Sequence, residues 1–351
     1  MKKIKNKRVA VAMSGGVDST VAAAILKQEG YDVSGVFMIL AQPDLQDQLD
    51  RVREVAGKLD VPLETVDLSQ EFRKEVLDYF CSSYLQGRTP NPCVVCNPAI
   101  KCGHLLNAVC SESADKLATG HYARIDFDGQ GHYRLLKGRD IGKDQSYFLC
   151  GLGQRQLARL VFPLGGLSKD EVYLRAEDLG FSDFHGRESQ DVCFLESRSV
   201  ADFLADQDLS LPGKGEIVDS AGCHLGEHRG IFHYTIGQRR GLGLCDPTPW
   251  YVIGLDVAKN QVVVGKEKDL RHDRFVVGEM RWTSGLPAEL PAFFDVKIRY
   301  RHQGARAKVS RRTDGVEVVF SETQRAITPG QFAVFYDGDQ VIGCGEIVGW
   351  N

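Results

Sequence analysis

The hexapeptide Ser14-Gly15-Gly16-Val17-Asp18-Ser19 constrains this chain most, because of what flanks it. Before it, Arg8–Met13 (RVAVAM) reads as a short buried parallel strand. After it, Asp18–Glu29 reads as a helix with Val21, Ala22, Ile25 and Leu26 on one side and Gly30 as its stop. A strand–turn–helix of this kind aims successive backbone N–H groups and the positive end of a helix dipole at one point. Glycines let an anion approach the backbone closely, and Ser14, Ser19 and Thr20 add hydroxyl donors. The loop lacks a Gly-Lys-Ser/Thr ending and does not match G-x-G-x-x-G, so neither a Walker A loop nor a dinucleotide fingerprint is present. The bland alternative is a tight turn capped by Asp18.

The strand–helix order repeats: strands at Val33–Met38, Leu63–Val66 and Lys116–Thr119 alternate with helices at Leu45–Leu59 and Glu71–Tyr84. Short connections between them point to an α/β fold with a doubly wound parallel sheet. The character changes after about residue 200. Pro212-Gly213-Lys214-Gly215 is a turn cluster, 222–243 is glycine-rich, and beyond Trp250 come short β-rich runs. Three domains are expected: 1–202 with the nucleotide loop, a small central β-rich domain at 203–270, and a C-terminal β-barrel at 271–351. The 351 residues suffice for that number. A composition of 43% hydrophobic and 26% charged residues excludes a disordered, collagen-like or disulfide-stapled chain. No run approaches the roughly 18 consecutive apolar residues of a membrane span. The basic start lacks the long apolar segment of a secretory signal, so a cytoplasmic location is expected.

Five of the ten cysteines (Cys81, Cys93, Cys96, Cys102, Cys110) fall within thirty residues. In a reducing compartment such clustering suggests a metal or thiol chemistry more than structural bridges. Cys93 and Cys96 form a C-x-x-C within Arg88–Asn97, and a distant Cys193 lies in Ser189-Gln190-Asp191-Val192-Cys193-Phe194. Sulfur delivery needs one thiolate to carry an extra sulfur as a persulfide, and a second thiol to release it. Cys81, Cys110 and Cys150 read as packing residues. His185, His224, His228 and His233 are scattered through loops without metal-ligand spacing and are assigned no metal. With a net charge of −4 there is no global positive field, yet 297–312 carries seven Lys/Arg and no acid. That segment is either a solvated strand face or a surface that contacts phosphates.

The loop resembles the pyrophosphatase-type loop of enzymes that split ATP between the α and β phosphates to adenylate an oxygen. Argininosuccinate synthases, GMP synthetases, asparagine synthetases and tRNA thiolases are examples. The resemblance implies a loop that holds pyrophosphate, with Asp18 helping to place Mg²⁺. Along nearly its whole length the chain is similar to the tRNA-specific 2-thiouridylases of the MnmA/TrmU family. The likeness rests on AMSGGVDS (12–19), GVFM (35–38), GRTPNPCVVCN (87–97), ATGHYAR (118–124) and KDQSYFL (143–149). It continues through FPLGGLSKDEV (162–172), SQDVCF (189–194), HYTIGQRRGLG (233–243), YVIGLD (251–256), KIRYR (297–301) and TPGQFAVFYDGD (328–339).

This resemblance implies ATP-dependent thiolation at C2 of the wobble uridine of tRNA. ATP would bind at Ala12, Met13, Ser14, Gly15, Gly16, Val17, Asp18 and Ser19, with adenine near Met38 and Gly120. Uridine O2 would be adenylated, and sulfur carried on Cys193 would replace AMP. Cys96 would be the partner thiol, attacking the persulfide or forming a disulfide with Cys193. Asn91, Pro92 and Cys93 would line the base pocket. His121, Lys143, Asp144, Gln145, Arg299, Tyr300 and Gln331 match tRNA-contacting positions, which gives the basic segment 297–312 a purpose: phosphate contacts position the tRNA while an extruded base enters the pocket.

The sequence departs from the family at Cys93, where many members have Asp, and a thiol does not inherit acid–base work on the uridine. Cys93, Cys96 and Cys193 therefore also resemble the three-cysteine site of thiolases that hold a [4Fe-4S] cluster with one iron open for sulfide. Zinc completed by Cys102 or His104 is a further alternative. The loop after Met38 is short, and Pro98 and Cys102 replace residues that are usually charged and aromatic. These changes leave the sulfur donor open among a cysteine desulfurase, a sulfur-relay protein and inorganic sulfide. A reading of another class is a tRNA-binding module with a degenerate site.

Overall fold

The computed structural model describes residues 7–129, 131–181, 192–195 and 198–350. His185 and the Ser189-Gln190-Asp191 half of the third cysteine motif lie outside them. The first region builds a parallel five-stranded sheet in the order β3 (Leu63–Asp67), β2 (Asp32–Ile39), β1 (Arg8–Ala12), β4 (Lys116–Ala118), β7 (Leu160–Val161). The order reverses at β1, so the carboxyl ends of β1 and β4 flank a topological switch point, where open α/β sheets bind ligands.

Alternate residues of β1 enter different cores, as strand geometry requires. Val9 and Val11 pack with α1 (Val17–Gln28) and α2 (Leu45–Lys58) on one face. Ala10 faces a larger core on the other. That core is roofed by α3 (69–85) and α4 (92–112), two long helices each interrupted by π-helical turns, at Arg73–Leu77 and Asn97–Leu105. α1 is buried on nearly all sides rather than one, since α5 (Lys169–Asp178) covers its outer surface.

Within α4, the stretch Pro92–Cys110 is long and apolar enough to cross a membrane by length and composition, which the search for an unbroken apolar run missed. It is a core helix: Val94, Cys96, Ile100, Cys102, Leu105, Leu106 and Val109 are all buried.

The central sheet comprises β8 (Gly215–Asp219), β9 (His224–His228), β10 (Tyr251–Asp256) and β11 (Gln261–Gly265), in the order β10-β11-β8-β9. Beyond it lie β12 (Arg271–Val277), β13 (Arg281–Trp282), β14 (Ala292–Lys297), β15 (Ala305–Arg312), β16 (Gly315–Arg325), β17 (Phe332–Asp337) and β18 (Gln340–Gly349). β12 pairs with both β16 and β18, closing a six-stranded barrel and removing its free edges.

The barrel does not stand apart. A hairpin of the first region, β5 (Ala123–Phe127) and β6 (Tyr133–Lys137), extends the barrel sheet through Leu136 opposite Gln340. Phe332, Val334 and Tyr336 of the barrel complete the core beneath α3 and α4. The loop preceding α4 is pinned by Thr89 N donating to Pro329 O at 2.9 Å and by an Arg88–Glu346 ion pair at 2.8 Å.

Candidate active site

The loop 14–19 leaves the carboxyl end of β1 and enters α1 at Gly16, whose side-chain-free cap leaves the first N–H groups of the helix to an incoming anion. Gly15 takes φ +73, a left-handed conformation that a Cβ disfavours. Hydroxyls brace the turn from within: Ser19 Oγ and Thr20 Oγ1 donate to Gly16 O at 3.0 and 2.9 Å, and Ser14 N donates to Ser19 Oγ at 3.2 Å. Met13 and Val17 are buried in the core, so only their backbone can meet a ligand. Ala12 and Met38 are half-buried at the ends of β1 and β2.

Asp18 is committed differently from the expected Mg²⁺ role. Its Oδ1 accepts from Tyr122 Oη at 2.7 Å, and Lys169 Nζ donates to Oδ1 and Oδ2 at 2.9 and 3.0 Å. An ammonium already neutralises this carboxylate, so the residues here do not offer Mg²⁺ an open carboxylate ligand. Lys169 was missed in the sequence although its signal was legible. Ser168 and Glu171 form a capping box, with Glu171 N donating to Ser168 Oγ at 3.2 Å, which makes Lys169 the first residue of a helix. A cation there opposes the helix dipole and calls for an acid partner.

Gly120 follows β4 and lies directly against the loop, where an added Cβ would stand 2.8 Å from the Asp18 carbonyl carbon and 3.0 Å from Ser19 N. The role the structure displays for Gly120 is close packing against the phosphate loop. The next residue, His121, shares a 2.7 Å hydrogen bond between Nδ1 and Thr119 Oγ1. Burial, and secondarily the Lys101 charge, push its pKa down to about 3, so the ring is neutral at physiological pH. Thus 120–122 joins the loop on one side to Lys101 and α4 on the other.

α4 begins with Asn91 at its N-cap, accepting from Val94 N at 3.4 Å, and Pro92 in its first turn. This sequence arms the helix start and sets Cys93 and Cys96 on its first turn. Asn97 Nδ2 donates to Cys93 O at 2.9 Å and to Phe148 O at 3.2 Å, leaving Asn97 Oδ1 buried without a partner among the described residues. Phe194 seats the segment 192–195 by packing edge-on to Phe72 and Phe80 at 5.9 and 5.1 Å. Cys193, next to it, is exposed.

Electrostatics gather the thiols. Burial pushes the Cys96 thiol up to about 12, with Lys101 drawing it down and Cys193 and Cys93 pushing it up. Cys93 is raised by burial, again opposed by Lys101 and reinforced by Cys193. Cys96 and Cys193, remote in sequence, therefore face one cation. All three are unbonded thiols, as are the other seven cysteines.

The metal alternatives find no ligand set. Among the described residues no three His, Cys, Asp or Glu side chains are gathered to hold a metal ion. His104 pairs with Glu75 at 2.7 Å, and Cys102 is fully buried. Neither completes a zinc site, and Cys93, Cys96 and Cys193 surround an ammonium rather than converging on a common ligand point.

Of the expected RNA contacts, Asp144 is corrected to a structural acid. It is buried, its Oδ1 accepting from Gly138 N and Ser146 N and its Oδ2 from Ser146 Oγ. Gln145 Oε1 accepts from Tyr122 N at 3.0 Å, bracing the 120–122 bridge. Gln331 Nε2 donates to Thr89 O at 2.9 Å, holding the loop before α4 to the barrel. Arg299 donates to Arg325 O, while Tyr300 lies over Phe148 with ring centroids 4.4 Å apart, near Lys143.

Family models match in three parts: a tRNA methyl transferase HUP domain at residues 7–197, a tRNA methyl transferase PRC-barrel domain at 201–266 and an aminomethyltransferase beta-barrel domain at 272–347. A tRNA-specific 2-thiouridylase MnmA from Desulfotalea psychrophila is 49% identical over 96% of this chain and 98% of its own length. The chain belongs to the tRNA-specific 2-thiouridylase family. Another thiouridylase, from Syntrophotalea carbinolica, is 47% identical over 98% of this chain and 99% of its own. A solved 4-thiouridine synthetase–RNA complex with bound ATP shares 18% identity at a TM-score of 0.34, covering 53% of this chain and 44% of that one. As a thiouridylase-family chain it carries Cys93 within the first turn of α4, beside Cys96.

Proposed function

We propose that this chain is an ATP-dependent tRNA-uridine 2-sulfurtransferase, working in the cytoplasm on the wobble uridine. One observation supports the reading most: Gly120-His121-Tyr122 touches the nucleotide loop at Asp18 and faces the cation that the thiols share. Activation and sulfur delivery can then occur on one substrate without its release.

The loop N–H groups and Ser14 receive the β and γ phosphates of ATP, and uridine O2 attacks the α phosphate, expelling pyrophosphate as N3 loses its proton. Mg²⁺, where bound to the nucleotide, supplies charge neutralisation through phosphate oxygens. A persulfide donor loads Cys193. The terminal persulfide sulfur adds to C2, and AMP leaves with the electron pair of the broken C–O bond. Cys96 thiolate then attacks Cys193 Sγ: a Cys96–Cys193 bond forms, the bond to the uridine sulfur breaks, and N3 regains its proton. A dithiol reductant resets the pair. Cys93, Asn91 and Pro92 line the approach to Cys96, and the Arg299–Tyr300 and Lys143 surface receives RNA phosphates.

Deleting the gene, in a strain without a second homologue, should remove 2-thiouridine from tRNA nucleosides measured by mass spectrometry. Unchanged 2-thiouridine would overturn the reading.

A further inference from the structure

Lys101 stands out as a cation in an otherwise apolar helix. It lies eight residues after Cys93 and four after Asn97, on the stripe of α4 that Asn97 ties back to Cys93 O. The π-helical turns at Asn97–Leu105 widen the spacing there and keep 93, 97 and 101 near one edge of the helix. Among the described residues Lys101 makes no hydrogen bond and no ion pair with a carboxylate. Its charged neighbours are thiols: Cys96, Cys193 and Cys93, with Cys102 behind them. His121, the other polar group facing it, is held neutral and offers no competing anion.

A half-buried ammonium without a carboxylate is poorly placed as a structural ion pair and well placed to balance a negative charge that appears during the reaction. The only groups in its field that can become anionic are sulfur atoms. We propose that Lys101 is the positioning cation of the sulfur-transfer step, holding the persulfide on Cys193 and the attacking thiol of Cys96 in their anionic forms. This deepens the thiolation reading and rests on it for the chemistry. The thiouridylase pattern brings the cysteines, and Lys101 explains how a thiol as deeply placed as Cys96 becomes a nucleophile. Burial alone would keep it protonated; a cation at the same site offsets that cost and leaves the attacking sulfur charged only where the persulfide waits. Cys96 can therefore stay inert toward solvent oxidants until Cys193 is loaded.

The test uses the full-length protein without ATP or tRNA, so its failure leaves the thiolation reading standing. Rates of iodoacetamide alkylation at Cys96 and Cys193 are followed against pH by peptide mass spectrometry in wild type, Lys101→Met and Lys101→Arg. Exposed Cys223 and Cys245 serve as internal references, and buried Cys150 and Cys344 report unfolding. In Lys101→Met the midpoints of Cys96 and Cys193 should rise by about one pH unit, roughly a tenfold loss of thiolate at fixed pH, while the references hold. Lys101→Arg should keep the midpoints near wild type. Coincident profiles in wild type and Lys101→Met would overturn the proposal. If Cys150 and Cys344 of the Met variant become reactive, Lys101→Gln takes its place, and wild-type midpoints there would overturn it equally.

Discussion

Tyr122 gives its phenol proton to Asp18 Oδ1 at 2.7 Å, across 104 residues of chain, from a side chain only 2% exposed. One buried phenol thus links the nucleotide loop to the backbone that carries His121. On the other side of the same carboxylate stands Lys169. The loop is held from two directions by groups outside its own motif, and its behaviour should depend on them.

Lys169→Met leaves the Asp18 carboxylate beside the phosphate site with a phenol as its remaining printed-distance partner from this pair of braces. Asp18 is one-third exposed, so the loss should fall below that of a fully buried pair, at about 1–3 kcal/mol in urea unfolding. ATP affinity should drop at least tenfold, because an uncompensated carboxylate then faces the triphosphate. Combining Lys169→Met with Asp18→Asn should cost less than the sum of the two single changes; strict additivity would show that the pair does not act as a unit.

Gly120→Ala places a methyl within 2.8 Å of loop backbone that cannot swing aside. Stability should fall by about 1–3 kcal/mol, and ATP binding should weaken with it. Gly57→Ala is the matched control, since nothing lies within 4 Å of its added Cβ inside α2. It should be neutral or stabilising by up to about 1 kcal/mol. Calorimetry of both variants, with and without ATP, checks the contrast.

His121 carries a pH signature. Its folded pKa lies near 3, below the ordinary value of 6.5, so the unfolded chain binds more protons between those limits. Its contribution to stability is therefore intact above about pH 6.5 and declines as pH falls toward 3. His121→Asn should flatten that part of the urea-midpoint curve against pH. A curve with unchanged slope would mean that His121 titrates freely.

Much of this was legible in the residues. The five strands of the parallel sheet include β1–β4 within about one residue of their expected bounds, because buried apolar runs between turn signals leave little choice of register. The grouping of Cys93, Cys96 and Cys193 came from the resemblance, and its physical seat is Phe194, which drives its neighbour into the aromatic cluster under α3. Three things were not legible. The β5–β6 hairpin joins the barrel sheet, a non-local pairing that no local pattern announces. Asp144 looks like a recognition residue in K-D-Q but is consumed by the turn it organises, since an acid ahead of Ser146 closes on its own backbone. Lys101 sits in a run that reads as core helix, and only folding brings the other thiol to it.

The central claim is that loop and thiols serve one substrate in one cavity. A single-turnover reaction tests it most directly: protein carrying a ³⁴S persulfide on Cys193 is mixed with ATP and unmodified tRNA, and tRNA nucleosides, AMP and cysteine peptides are measured together. The account expects ³⁴S-labelled 2-thiouridine, one AMP per label transferred, and a new Cys96–Cys193 disulfide in equal amount. AMP released without labelled thiouridine, or label transferred undiminished by a Cys96→Ser variant without any disulfide, would contradict it.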